Sequence, residues 1–201
     1  MSSSSTETRA RILEKTVRVL EERGGRGVRM GDIARAAGIS RQAVYLHFAS
    51  RTELLVAATR YVDEILDLNR RLAPSHAAAS GLERLNRYIE FWGNYIPEIY
   101  GVAKALLLAQ DSDQAAAAAW KDRMLAMRDG CRAVVEALHA DGYLAPEWTP
   151  ETATDALWTM LLVPNWENLT IECGWSTPQY IHWMKTLAQR SFVNDSWSSE
   201  A

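Results

Sequence analysis

Arg41, Gln42, Tyr45 and His47 crowd into the seven-residue stretch RQAVYLH, and together they offer the side-chain types that meet nucleic acid. An arginine fork matches the two acceptors on a guanine edge, and a glutamine amide matches the donor and acceptor of adenine. A tyrosine hydroxyl or an imidazole bonds phosphates, contacts that fix register without reading sequence. Ser40, just before the stretch, suits the N-cap of a helix carrying it. Ser50 and Arg51 follow at a second helix start, where free N–H groups and the helix dipole favour a phosphate. Arg29, upstream, is a further cation within the same region. Each of these residues alone is equally an ordinary solvated side chain; it is their combination that points to DNA.

Such a set has to be presented by a rigid element. Counted from Arg41, Val44 and Phe48 share one face at i, i+4, which leaves Arg41, Gln42, Tyr45 and His47 outside. Residues 30–37 place Ile33, Ala34 and Ala37 together, and Gly38 can take the left-handed turn between two closely packed helices. Residues 7–23 form an amphipathic helix with Ile12, Thr16, Val19 and Leu20 on one face, stopped by GGRG at 24–27. Ser50 and Glu53 have capping-box spacing, so another helix is expected over residues 51–72, roughly 30 Å long. Further helices are expected over 82–95, ended by Pro97, and then over 97–109 and 113–140. The last two are expected over 151–173, kinked at Pro164, and over 178–193. No segment alternates as a strand would. The fold class is all-α: an N-terminal three-helix helix-turn-helix domain over residues 7–52 and a helical bundle over 53–195.

Charge divides the same way. Residues 1–54 hold ten Lys/Arg against six Asp/Glu, a net +4, while residues 55–201 hold twelve against nineteen, a net −7. The first part suits a polyanion and the second does not. Cys131 and Cys173 lack CxxC spacing and read as reduced, buried thiols, and the four histidines are scattered without an HExxH pair. No metal, cofactor or catalytic set is therefore expected, and an enzyme is disfavoured. No run approaches the roughly 20 apolar residues of a membrane span, and no secretory signal is recognisable. The expected location is the cytoplasm, with no membrane partner, and the polar stretches at both termini are expected to fray.

The stretch MGDIARAAGISRQAVYLHFASRTELL, residues 30–55, resembles the N-terminal region of TetR-family transcriptional regulators. The D-I-A core, the A-G-I-S turn, the Tyr and Phe three apart, and the basic residue before T-E-L-L carry the likeness, which covers residues 7–55. Arg29 stands where such families often have a capping Ser or Thr, and Gly31 where a longer polar side chain often reaches DNA.

The resemblance implies that the remainder binds a small molecule and forms a homodimer. Trp92, Tyr95, Tyr100, Leu107, Trp120, Met124 and Met127 are the candidate lining for a hydrophobic or aromatic effector; plain core packing is the alternative for each. Trp158, Leu161, Leu162, Trp166 and Leu169, with Tyr180, Trp183, Met184 and Leu187, form two apolar stripes able to pair with their copies as four helices. The same residues could instead close the core of one protomer. A dimer fits the mechanism, because one short helix reads too few bases and two would read a partly palindromic operator. The expected function is a ligand-responsive DNA-binding regulator, a repressor released by its effector. The rival is a ligand-binding or scaffolding protein with a degenerate head.

Overall fold

Helix accounts for the regular structure of the computed structural model, which describes residues 3–194; Leu144 and Val193 form one isolated antiparallel bridge. The chain divides into two units, Met1–Asp67 with Glu98–Asp122, and Leu68–Pro97 with Arg123–Ala201. Residue 195 and most of the terminal stretches expected to fray lie outside the described residues. The N-terminal helix, however, already begins at Ser3.

The first unit holds α1 (Ser3–Glu22), α2 (Met30–Ala37), α3 (Arg41–His47) and α4 (Arg51–Ile65). It also takes the end of α6 (Gly81–Ala109) and the start of α7 (Gln114–Ala140). Its core is the apolar periodicity made solid. Ile12, Leu20, Val44, Phe48 and Leu54 are fully buried, with Val102, Leu106 and Ala116 in the same cluster. Thr16 is buried among them because its hydroxyl donates to the Ile12 carbonyl at 2.7 Å, which removes the cost of burying an unpaired polar group. Two glycines bring backbone against backbone. A Cβ on Gly25, whose φ is 73°, would lie 2.5 Å from the Gly101 carbonyl, and one on Gly101 would lie 2.6 Å from Leu20. Thr52, at the start of α4, donates to Asp113, which also accepts from the Ala115 and Ala116 amides and so caps α7.

Three expectations about helix length are corrected. The helix opened by Ser50 ends at Ile65, giving about 22 Å, because Asp67 turns left-handed at φ 48° and α5 (Leu68–His76) starts afresh. Pro97 does not end a helix: α6 runs through it for 29 residues. A proline costs a helix one N–H bond and a ring clash, and here the neighbouring Tyr95 and Ile96, 1% and 0% exposed, hold the turn by burial. The single helix expected over 151–173 is instead α8 (Pro150–Met160), α9 (Val163–Glu167) and a π-helical segment, Asn168–Glu172. Pro164 falls in the first turn of α9, where its missing N–H has no helical partner to lose, so it starts a helix rather than kinking one.

The second unit packs α6, α7, α8 and α10 (Thr177–Phe192) around Leu85, Ile89, Val135, Leu138, Leu157 and Tyr180, all 0% exposed. Cross-links between distant segments close it. The Tyr88 hydroxyl donates to the Met127 carbonyl at 3.0 Å, Trp148 Nε1 to the Ser191 carbonyl at 2.6 Å, and Lys185 pairs with Glu90 at 2.8 Å. Cys131 is buried, as expected, but Cys173 is exposed just past the π-helical segment. Among the described residues no helix is long and apolar enough to cross a membrane.

Candidate nucleic-acid interface

Helix α2 starts without the usual hydroxyl cap, since a guanidinium has no acceptor to offer. Asp32 makes good the loss from inside the first turn. Its carboxylate accepts from the Arg29 N–H at 3.1 Å and from Arg23 at 3.1 Å, with Arg35 3.7 Å away. The Arg29 N–H, helped by the two arginines, holds the Asp32 carboxyl below its ordinary range. The helix ends as the sequence requires, with Gly38 left-handed at φ 67° and the Ile39 N–H donating to the Ala34 carbonyl at 3.0 Å.

Ser40 caps α3, its hydroxyl accepting from the Ala43 N–H at 3.1 Å. Val44 and Phe48 are fully buried and fasten the helix, while the Arg9 guanidinium lies 4.8 Å over the Phe48 ring. Arg41, Gln42, Tyr45 and Leu46 are exposed, and His47 is half-buried at the edge. The outward arc has two columns at i, i+4: Arg41 with Tyr45, and Gln42 with Leu46. In the first, the Arg41 guanidinium sits 5.6 Å over the Tyr45 ring and Nη2 reaches the hydroxyl at 3.4 Å. That stacking restricts the fork before any ligand arrives.

Ser50 caps α4 through the Glu53 N–H at 3.0 Å, but Glu53 returns its bond to the Ala49 N–H, at 2.7 Å, rather than to Ser50. Arg51 has a structural task as well: Nε donates to the Val28 carbonyl at 3.0 Å and ties the start of α4 to the loop before α2. Residues 27–32 with Arg35, Arg41, Tyr45 and Arg51 line an open cleft of about 700 Å³. Four arginines and one already-engaged carboxylate thus frame the foot of α3, a field suited to phosphates. Arg35 and Leu46 were not singled out in the sequence. Arg35 was legible as the last-turn cation of α2; the exposure of Leu46 carried no signal in the sequence.

The remaining candidates are distributed through the body. Trp92, Tyr95, Met124 and Met127 fall in the second unit, and Tyr100, Leu107 and Trp120 in the first, where Trp120 packs on the core. Tyr95 is stacked on Phe91 at 5.0 Å with Arg71 5.2 Å over its ring, and Trp92 meets it edge-on at 5.8 Å. Leu161, Trp166, Tyr180 and Met184 are buried within the chain's own fold. Trp158, Leu162 and Leu169 are half-buried, and Trp183 and Leu187, one turn apart on α10, are 41% and 43% exposed. Among the described residues no three His, Cys, Asp or Glu are placed to hold a metal ion.

Residues 12–58 match the family described as bacterial regulatory proteins, tetR family. The HTH-type transcriptional regulator CymR of Pseudomonas putida is 30% identical over 112 residues, 54% of each chain. The HTH-type transcriptional regulator TtgR, also of Pseudomonas putida, is 38% identical over 69 residues, about a third of each. The alignments thus span about half, or less, of these relatives' length. Likeness of fold extends further. A protein from Saccharomonospora viridis, solved in complex with choline, superposes with a TM-score of 0.81 at 21% identity, covering 94% of this chain and 99% of that one. NalD, the secondary repressor of the MexAB-OprM multidrug efflux pump in Pseudomonas aeruginosa, superposes at 0.68 with 20% identity, over 96% and 100%. Residues 12–58 are thus similar in sequence to the tetR family of bacterial regulatory proteins, and the fold along nearly the whole length is that of these solved structures.

Proposed function

We propose that the chain is a cytoplasmic, homodimeric DNA-binding repressor that releases a partly palindromic operator when a small molecule binds its helical body. One observation carries the proposal: α3 is clamped by Val44 and Phe48 and turns Arg41, Gln42 and Tyr45 outward beside three further arginines, Arg29, Arg35 and Arg51. Arg41 and Gln42 read base edges; Tyr45, His47, Ser40, Ser50, Arg29 and Arg51 set the register on phosphates. Residues 7–52 serve as the reading head and 53–195 as the regulatory and dimerising body.

Trp183 and Leu187 are the apolar residues of α10 that a second copy would cover, with Trp158, Leu162 and Leu169 contributing from the other stripe. For the effector, the second unit offers Trp92, Tyr95, Met124 and Met127. Aromatic faces take quaternary ammonium groups, so the choline held by the Saccharomonospora viridis protein names a first compound to try, beside neutral aromatic ones. A ligand shifts operator occupancy only by binding one conformation better than the other. Helices α6 and α7 each supply residues to both units and are the continuous elements through which that preference would travel.

The test is selection of duplexes from a random pool, followed by titration of the enriched site with and without candidate effectors. Two half-sites roughly 34 Å apart centre to centre, or a multiple of that, are expected. A pool without enrichment rejects DNA reading; equal affinity across all effectors rejects induction alone.

A further inference from the structure

Leu46 is 82% exposed, the highest value among the large hydrophobic residues described, and it lies in the last turn of α3, which the fully buried Val44 and Phe48 hold on either side. It is one turn beyond Gln42 on the outward arc, and Tyr45 beside it is 40% exposed. The surroundings limit what can cover it. An apolar protein groove would have to seat Leu46 while also burying Arg41 and the arginines of the adjoining cleft. A DNA major groove has the opposite composition: phosphates at the walls for the cations, and on its floor one apolar group, the thymine 5-methyl. Gln42 and Leu46 are separated by about 5–6 Å along the helix, against roughly 3.4 Å per base step. Leu46 therefore reaches one or two base steps from the pair that Gln42 addresses.

We propose that Leu46 is a specificity-determining residue that selects a thymine in each half-site through its 5-methyl group, next to the base pair read by Gln42. The proposal rests on the DNA-binding function put forward above and adds the identity of one base to it. Gln42 and Leu46 then act as a column, one polar and one apolar, that favours an A·T-containing step over a G·C one. Arg41, restrained by the Tyr45 ring, reads a separate pair.

The test begins with the duplex that the wild-type chain enriches from a random pool. Each thymine is replaced in turn by deoxyuridine, which removes only the methyl group and leaves every hydrogen bond. At one thymine per half-site the wild-type chain is expected to bind about fourfold more weakly, the effect of uncovering one methyl-sized group. L46A, whose melting temperature should equal the wild type's because the side chain touches no core, is expected to bind the thymine duplex more weakly and to be indifferent to that replacement. Wild-type binding unaffected by deoxyuridine at every position overturns the proposal, as does L46A that keeps the full sensitivity. Failure to enrich any duplex is a different result and overturns DNA binding itself.

Discussion

At the scale of single residues, the reading helix works by division of labour between neighbours. Arg41→Ala and Gln42→Ala should each relax selectivity at one base position by about 1–3 kcal/mol, measured by competition among single-base variants of the enriched duplex. Tyr45→Phe keeps the ring under Arg41 and should leave that selectivity nearly intact, whereas Tyr45→Ala frees the fork and should not. Gly31 shows what the chain has forgone: a Cβ there meets nothing within 4 Å, so packing does not demand a glycine. Gly31→Lys should tighten binding to all sequences and steepen the salt dependence by about one phosphate contact. The thiols differ just as sharply. Burial pushes the Cys131 thiol up to about 12, keeping it protonated and unreactive, while Cys173 is exposed. A thiol reagent should label one cysteine in the native protein and two after denaturation.

At the scale of elements, α4 is held at its first turn from two directions, by Arg51 to Val28 and by Thr52 to Asp113. Thr52→Val keeps the shape and loses one bond, costing about 1 kcal/mol. Asp113→Ala should cost more, because it also uncaps α7; denaturant melts of the two variants give the order. These tertiary partners explain which elements the sequence disclosed. Helices α2 and α3 were legible to within a residue because Gly38 and Ser40 are local signals read by adjacent backbone groups. The end of α4 was not, since Asp67 carries no turn signature that distinguishes it from any exposed aspartate. Pro97 misled for the opposite reason: a strong local breaker was overruled by burial on either side. The candidate interface was correspondingly visible in Arg41, Gln42 and Tyr45, whose types announce hydrogen bonding. Leu46 was not, because an apolar letter says nothing about exposure until its helix has been packed.

At the scale of the molecule, acid should loosen both units. Asp32, Asp113 and Glu90 are each held below their ordinary values, by the Arg29 N–H, the Thr52 hydroxyl and Lys185 respectively. Their stabilisation is complete above the ordinary carboxylate values of 3.8 and 4.5 and is lost as pH falls through the lower folded ones. Melting temperature should therefore drop below about pH 4.5, with a shallower fall for D113N. Replacing Trp183 and Leu187 together by Glu should give a folded monomer in sedimentation, with weakened operator binding, if α10 joins two copies. The paired glycines at 25 and 101 add a mechanical consequence. Side chains between two helices act as cushions that absorb small displacements by changing rotamer; here the nearest atoms are backbone, with only the Lys104 Cβ, which has no rotamer to change, beside Gly25. The turn after α1 is seated directly on the α6 backbone, so a shift of α6 at that point has no slack to take up and α1 must follow it. Unlike Gly31, these two glycines leave no room for a side chain, and it is there that the first unit is least forgiving.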